Sequence, residues 1–455
     1  MSRAAVNRAS GAQVARPRRL LRFYARLNRI DDWFERRFTV AGRVVLWSAV
    51  GAALFSLDTR RSLAYQMFAL ALALLVMALL WTAARKRAPV TVRRHLPDLV
   101  TAGQPFSYRL DLRSEVSGGG HECIWVHERL YGALPDEQAF ASLREPSANR
   151  RSWFDRKLGF PRWIWLTRRS RGGRCEGVDV TLDLTGSASQ RLEMTPLRRG
   201  YIEFEALDIG RTEPSGLCRR VETRALCGRV LALPHRFLVA PMVLPGRGEQ
   251  FSAGAGLTLA SGQSTEFLGV REFKPGDAVK HIHWKRFASL GEPIVREFQA
   301  QATRRLAVAL DTAGGLAGEP VFEAAVSVAA SVLEVAASTH GVVDLLLPGE
   351  VMLASAKGGS DPETMLAALA TVAGGDGATL GVFANEILAQ RSAVAGVLCV
   401  VLGFDEMRRE FVERLSAAGM EVSVIVLLPD GVVLPAATPG MRFVNASQAS
   451  AQLLT

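Results

Sequence analysis

Residues 266–298 read EFLGVREFKPGDAVKHIHWKRFASLGEPIVREF. Eleven of these 33 residues are charged, six basic and five acidic, yet Phe, Trp, Ile, Val and Leu recur throughout. A solvated loop would not need that apolar content, and a core strand would not carry that charge. The stretch therefore reads as a joint, in which opposite charges pair while Phe267, Phe273, Trp284 and Phe298 pack beneath. Lys274-Pro275-Gly276-Asp277 is a turn, since Pro presets φ, Gly tolerates positive φ and Asp bonds its own backbone. Asp277 is placed to cap a short helix over residues 279–288, and residues 293–298 alternate as a strand.

Beyond the joint, apolar strands alternate with helices. The strands lie at 306–310, 342–347, 396–402 and 422–428, with a short edge strand at 441–444; the helices lie at 321–337, 362–372 and 406–418. This alternation predicts a doubly wound α/β domain with a parallel sheet over residues 304–455. Asp311 ends the first strand, where such sheets hold ligands, and Asp405 ends a later one. Residues 85–244 have a different signature. Strands at 90–92, 106–112, 124–130, 178–184 and 201–207, separated by Gly, Pro and Ser clusters, predict an all-β sandwich of Ig-like type. Residues 245–265 are rich in Gly, Ser and Ala, so linker and joint together span 245–303.

Further out lie two apolar segments. Residues 38–57 are interrupted only by Arg43, and residues 62–84 carry no charge over 23 positions, long enough to cross a hydrocarbon layer of about 30 Å. The connection from Asp58 to Arg61 permits only a tight turn, so a two-helix transmembrane hairpin over 38–84 is expected. The net charge of +11 is uneven: the first 94 residues carry +14 and the remainder −3. Arginine concentrated outside the hairpin rather than in its connection predicts that both termini are cytoplasmic. Positive charge beside apolar segments suits a lipid bilayer rather than nucleic acid. Residues 1–37 hold ten Arg, and Leu21, Phe23, Tyr24, Leu27, Ile30, Trp33 and Phe34 recur at helical spacing; the segment is either an interfacial helix or a basic tail. Five cysteines without a Cys-x-x-Cys pair suit unpaired thiols in a reducing compartment.

The joint also resembles the signature of the domain of unknown function 58 family. The matching residues are Glu266-Phe267 with Gly269, Arg271-Glu272-Phe273, Pro275-Gly276-Asp277, Ile282 with Trp284-Lys285, and Val295-Arg296-Glu297-Phe298. His283 stands where that family more often has Asp. The resemblance implies a bacterial inner-membrane, multi-pass protein with a C-terminal von Willebrand factor A-like domain. It implies a MoxR-type AAA+ ATPase as partner, and a transglutaminase-like membrane protein as a further associate. Arg198-Arg199-Gly200-Tyr201 and Glu213-Pro214-Ser215-Gly216-Leu217 resemble two more elements of the family, but Glu213 and Ser215 depart from its pattern, which leaves that turn a structural role. A-like domains carry Asp-x-Ser-x-Ser for a metal ion where this chain has Asp311-Thr312-Ala313-Gly314-Gly315. Both serine hydroxyls are missing, and a hard divalent cation needs several oxygens, so Asp311 and Asp405 are incomplete metal candidates beside a capping role.

Two other chemistries are legible. Residues 150–174 (Arg150 to Arg174) hold nine basic residues, one acid and five large aromatics: Trp153, Phe154, Phe160, Trp163 and Trp165. They suit an anionic lipid surface, single-stranded nucleic acid, or a β-hairpin with its rings in the core. Asp277, His281 and Glu266 would serve a membrane-bound metal-dependent hydrolase, but His281 and His283, two apart, point in different directions on a helix. The chain has no phosphate-binding loop, dinucleotide fingerprint or nucleophile elbow. The expectation is an interaction protein without catalytic activity or cofactor. Its interaction residues would be Glu266, Gly269, Arg271, Glu272, Pro275, Gly276, Asp277, His283, Trp284, Lys285, Arg296 and Glu297.

Overall fold

The computed structural model describes residues 18–55, 62–84, 90–114, 123–135, 137, 140, 143, 145, 152–183, 185–239, 267–273, 282–291, 294–298, 305–340, 343–352, 361–376, 379–391, 394–432, 434–435 and 440–453. The chain divides into two units, Met1–His235 and Arg236–Thr455.

The first unit opens with α1 (Arg18–Arg37), α2 (Val40–Phe55) and α3 (Ser62–Ala84). Ala49 of α2 packs with Leu75 and Ala78 of α3, while Val44, Trp47, Leu70, Leu80 and Trp81 point outward and are exposed. α3 is long and apolar enough to cross a membrane; α2 is an apolar helix of 16 residues, and residues 56 and 57 of the expected segment lie outside the described residues.

Two sheets follow. One has the order β1 (Val90–His95), β3 (Phe106–Ser114), β6 (Ser187–Met194). The other has the order β2 (Leu99–Thr101), β8 (Arg219–Leu233), β7 (Gly200–Thr212), β4 (Cys123–Leu130), β5 (Val178–Thr181). Leu110, Leu112 and Leu192 from the first sheet share one core with Ile124, Ile202, Phe204 and Val230 from the second, which is a β-sandwich.

Residues 152–174, the described part of the 150–174 stretch, do not form a β-hairpin. They form α4 (Trp153–Leu158) and α5 (Phe160–Ser170), separated by Gly159 at φ 74°. Trp163, Leu166 and Thr167 are the buried residues of α5, and their spacing of three and four is helical. Trp163 and Leu166 pack with Leu21 and Tyr24 of α1.

The turn between β7 and β8 has a task. The Glu213 carboxylate accepts hydrogen bonds from the Leu217 and Cys218 backbone N–H groups at 2.7 and 3.2 Å. So held, the turn grips the start of α2: Thr39 N–H donates to the Leu217 carbonyl at 3.0 Å, and Thr39 Oγ1 donates to the Gly216 carbonyl. A Cβ on Gly42 would stand 1.9 Å from that Leu217 oxygen, so only glycine permits the approach.

In the second unit, β9 (Phe267–Glu272) pairs antiparallel with β10 (Ile294–Phe298), with α6 (Trp284–Leu290) between them in sequence. Six strands form the main sheet: β11 (Arg305–Leu310), β12 (Val343–Leu347), β13 (Glu350–Met352), β14 (Val394–Leu402), β15 (Glu421–Leu428) and β16 (Met441–Asn445). Their order is β13-β12-β11-β14-β15-β16, parallel except for β13 at the edge. The helices are α7 (Pro320–His340), α8 (Pro362–Thr371), α9 (Thr379–Ala389), α10 (Glu406–Ala417) and α11 (Ala449–Gln452). Ala307, Val397, Cys399 and Val424 pack with Phe383 and Ile387 of α9 and Phe411 and Leu415 of α10. That leaves Val308, Leu310, Leu398 and Val400, equally buried, to the other face, where α7 contacts β11, β12 and β14. Cover on both faces explains why β12 is buried at every position. The parallel α/β sheet expected from the sequence is observed, with α9 and β13 as additions.

Candidate functional site

The strand order runs outward in both directions from β11 and β14, and the crevice beyond their carboxyl ends is where open α/β sheets hold ligands. Asp311 follows β11 and is 1% exposed. Its Oδ1 accepts the Ala313 N–H at 2.7 Å, and its Oδ2 accepts the Leu402 N–H at 3.3 Å and Arg408 Nε–H at 2.7 Å. Asp405, after β14, caps α10 by accepting the Arg408 N–H at 3.0 Å. The same arginine donates Nη1–H to Asp405 Oδ2 at 2.8 Å and Nη2–H to the Ala313 carbonyl at 2.6 Å. One guanidinium thus lies between the two carboxylates, with all three of its nitrogens engaged.

The loop that carries Asp311 is fixed from a second side. Gly314 N–H donates to the Gly375 carbonyl at 2.7 Å, and Gly375 N–H to the Thr312 carbonyl at 2.9 Å. A Cβ on Gly374 would fall 1.5 Å from the Gly315 oxygen, so this contact is backbone on backbone. Burial, with the Asp311 charge adding to it, pushes the Cys399 thiol on β14 up to about 12. Leu316, Met407 and Val432, each exposed, follow the carboxyl ends of β11, β14 and β15 at this same edge.

This geometry does not fit a divalent cation at Asp311 and Asp405. A hard cation would need both carboxylates and further oxygens, whereas the guanidinium already occupies the space between them. Among the described residues, no group of three or more His, Cys, Asp or Glu side chains is arranged to hold a metal. The sequence reading missed Arg408. The signal was there: Asp405-x-x-Arg408 at a helix start turns the arginine back over its own cap.

The joint is a hairpin in its described parts. Gly269 pairs with Glu297, Arg271 with Val295, Arg296 with Val270 and Glu272 with Ile294. His283 N–H donates to the Ile294 carbonyl at 2.8 Å, which seats α6 beside β10. The described helix is Trp284–Leu290, and Ile282 and His283 lie outside it; residues 279–281 of the expected helix lie outside the described residues. Trp284 does not pack beneath the joint: it is 57% exposed and meets Phe287 edge-on; Lys285 and Glu272 are exposed as well. Glu266, Pro275, Gly276, Asp277 and His281 lie outside the described residues.

In the first unit, the aromatics of residues 150–174 separate. Trp153 is exposed. Phe154 lies on α4. Trp163 is 1% exposed, so it is a core residue and reaches no lipid surface; burying its ring needs the α1 helix beside it. Trp165, half-buried with the Arg169 guanidinium 5.4 Å from its ring, borders a groove of about 570 Å³ with Ile164, Arg168 and Leu197.

No curated protein matches this sequence. Among solved structures, a CARDB domain from Pyrococcus furiosus is 13% identical, covering 32% of this chain and 89% of that one with a TM-score of 0.17. AggA, the major subunit of the Escherichia coli aggregative adherence fimbriae type I, is 11% identical, covering 33% and 97% with a TM-score of 0.17. At such scores neither bears on fold or function. Residues 269–450, from the hairpin through the last strand, match the model of the family described as protein of unknown function DUF58, and over that span the chain is similar to that family.

Proposed function

We propose that this protein is a membrane-anchored docking protein whose second unit presents the carboxyl edge of its parallel sheet to a protein partner. The observation that carries the reading is the Arg408 guanidinium between Asp311 and Asp405. A position that would otherwise take a ligand is closed by the chain's own cation, and the exposed Leu316, Met407 and Val432 surround a surface suited to protein contact. The unit is read as a von Willebrand factor A-like domain, on its strand order and on the placing of Asp311, that works without a metal ion.

Anchoring rests on the α2–α3 hairpin, whose outward Val44, Trp47, Leu70, Leu80 and Trp81 form an apolar surface that water would penalise. The arginine distribution supports a bacterial inner membrane with both termini cytoplasmic, which gives a multi-pass topology. By resemblance, the partner is a MoxR-type AAA+ ATPase.

Affinity capture from solubilised membranes tests the reading. Wild-type protein should recover such an ATPase, and Leu316→Asp with Met407→Asp should recover far less while folding normally. Capture that never yields the ATPase, or that ignores both substitutions, defeats it. Stoichiometric binding of Mg²⁺ or Mn²⁺ by the wild-type protein, measured by calorimetry, would defeat its metal-independent part.

A further inference from the structure

α1 is a helix with two different working faces. At 100° per residue, Leu21, Tyr24, Asn28, Asp32 and Arg36 fall on one side. That side is docked on its own unit. Tyr24 donates its hydroxyl to the Leu158 carbonyl and its ring lies 5.4 Å from Phe160; Arg36 Nη1 sits 3.1 Å from Asp208 Oδ2, a carboxylate fully buried in β7. The other side is uncovered. Phe23, Ile30 and Leu27 share a sector of roughly 60°, and Arg22, Arg26 and Arg29 fill the next sector of roughly 60°. All six are exposed, Phe23 at 56% and Ile30 at 54%. Trp33 lies on the same side at 47%, with the Arg37 guanidinium 5.4 Å from its ring.

A soluble helix docked by one face turns a polar face to water. Here the outward face instead sets an apolar stripe beside an arginine stripe, and it leads within three residues into α2, whose Val40, Val44 and Trp47 are exposed in turn. We infer that α1 lies in the plane of an anionic bilayer, with Phe23, Leu27, Ile30 and Trp33 inserted at the headgroup boundary and Arg22, Arg26 and Arg29 on lipid phosphates. Rings at headgroup depth and arginines whose stems snorkel towards phosphate are the groups such a surface takes. α1 is then a strut clamped between the sandwich and the lipid, so the sandwich is held at a fixed tilt rather than swinging on the hairpin. This inference rests on the membrane-anchor reading.

Hydroxyl-radical oxidation of the full-length protein in lipid nanodiscs, read residue by residue by mass spectrometry, tests it. The exposed Tyr201 of β7 serves as the solvent reference and Trp81 of α3 as the anchor reference. In discs containing phosphatidylglycerol, Phe23 and Trp33 should be oxidised severalfold less than Tyr201. In phosphatidylcholine discs, or after Arg22→Gln, Arg26→Gln and Arg29→Gln together, that protection should largely disappear while Trp81 stays protected. Phe23 and Trp33 as reactive as Tyr201 in anionic discs, with Trp81 protected, overturns the inference and spares the anchor. Protection that ignores both headgroup and arginine means that lipid phosphate does not hold the stripe, and it also overturns the inference. A reactive Trp81 removes the anchor reading itself.

Discussion

Among the described residues, two helices are long and apolar enough to cross a bilayer, and they have opposite surroundings. Only 22% of the Leu63–Ala84 window is buried, against 56% of Pro320–Ser338. α3 leaves Leu70, Leu80 and Trp81 uncovered, whereas α7 buries Phe322, Val326, Ala329 and Leu333 completely. Composition alone does not separate the two. What separates them is the parallel pair β11 and β12 on either side of α7, since parallel neighbours require a crossover helix that packs on the sheet. Among the described residues, α3 is preceded by α2 rather than by a strand, so it is no crossover between parallel neighbours, and Leu70, Leu80 and Trp81 stay uncovered.

The largest test of that contrast is truncation on each helix. Phe322→Ala should cost about 3–5 kcal/mol of stability in denaturant unfolding of the detergent-solubilised protein. Leu80→Ala should cost less than about 0.5 kcal/mol in the same assay, as for an uncovered side chain. Equal costs would break the comparison. The contrast extends to charge. Arg408→Ala leaves Asp311 buried without its cation and should cost about 3–5 kcal/mol, whereas Asp311→Asn with Arg408→Met should recover most of it. Asp405→Asn removes only the exposed ionic arm of the cluster and keeps an amide oxygen that can cap α10, so less than about 1 kcal/mol is expected.

A half-buried imidazole sharpens the comparison further. Burial, with Arg36 adding to it, pushes His127 down to about 4 from 6.5. The folded state then binds fewer protons than the unfolded chain between those values, so stability present above pH 6.5 is lost as pH falls towards 4. The loss should reach up to about 3 kcal/mol, and His127→Phe should flatten that part of the unfolding profile. Gly42→Ala is expected to cost about 1–3 kcal/mol, because its methyl meets backbone rather than a yielding side chain. The smallest effect is chemical. Burial pushes the Cys175 and Cys399 thiols up to about 12, so iodoacetamide at pH 8 should spare both in the native protein and modify the exposed Cys123 and Cys227.

Legibility in the sequence followed the strength of the periodic signal. β12 and β14 were readable because both of their faces are apolar, which leaves little alternative to a covered strand. β6, SASQRLEM, was not readable: its inward Leu192 and Met194 come after polar positions, and only pairing with β3 makes it a strand. Of the alternatives for residues 150–174 the β-hairpin fails, because basic and aromatic residues at mixed spacing fit period two or period 3.6 until a partner surface exists. Leu21 and Tyr24 of α1 supply that surface. Within the candidate site, Asp311 and Asp405 are legible as strand-end carboxylates and Arg408 as an arginine one turn into the helix that Asp405 caps; its approach to Asp311 is not legible, because it crosses 97 residues of chain.

The sequence by itself determined the succession of elements: an arginine-rich start, two apolar helices, a β region and a strand–helix alternation. It did so because hydrophobic periodicity and charge are local properties of the chain. Tertiary structure alone decided which apolar helix is covered, which aromatic is core and which cation sits between Asp311 and Asp405. Those outcomes depend on neighbours brought together from about a hundred residues away, as Arg408 is brought to Asp311 by the pairing of β11 with β14.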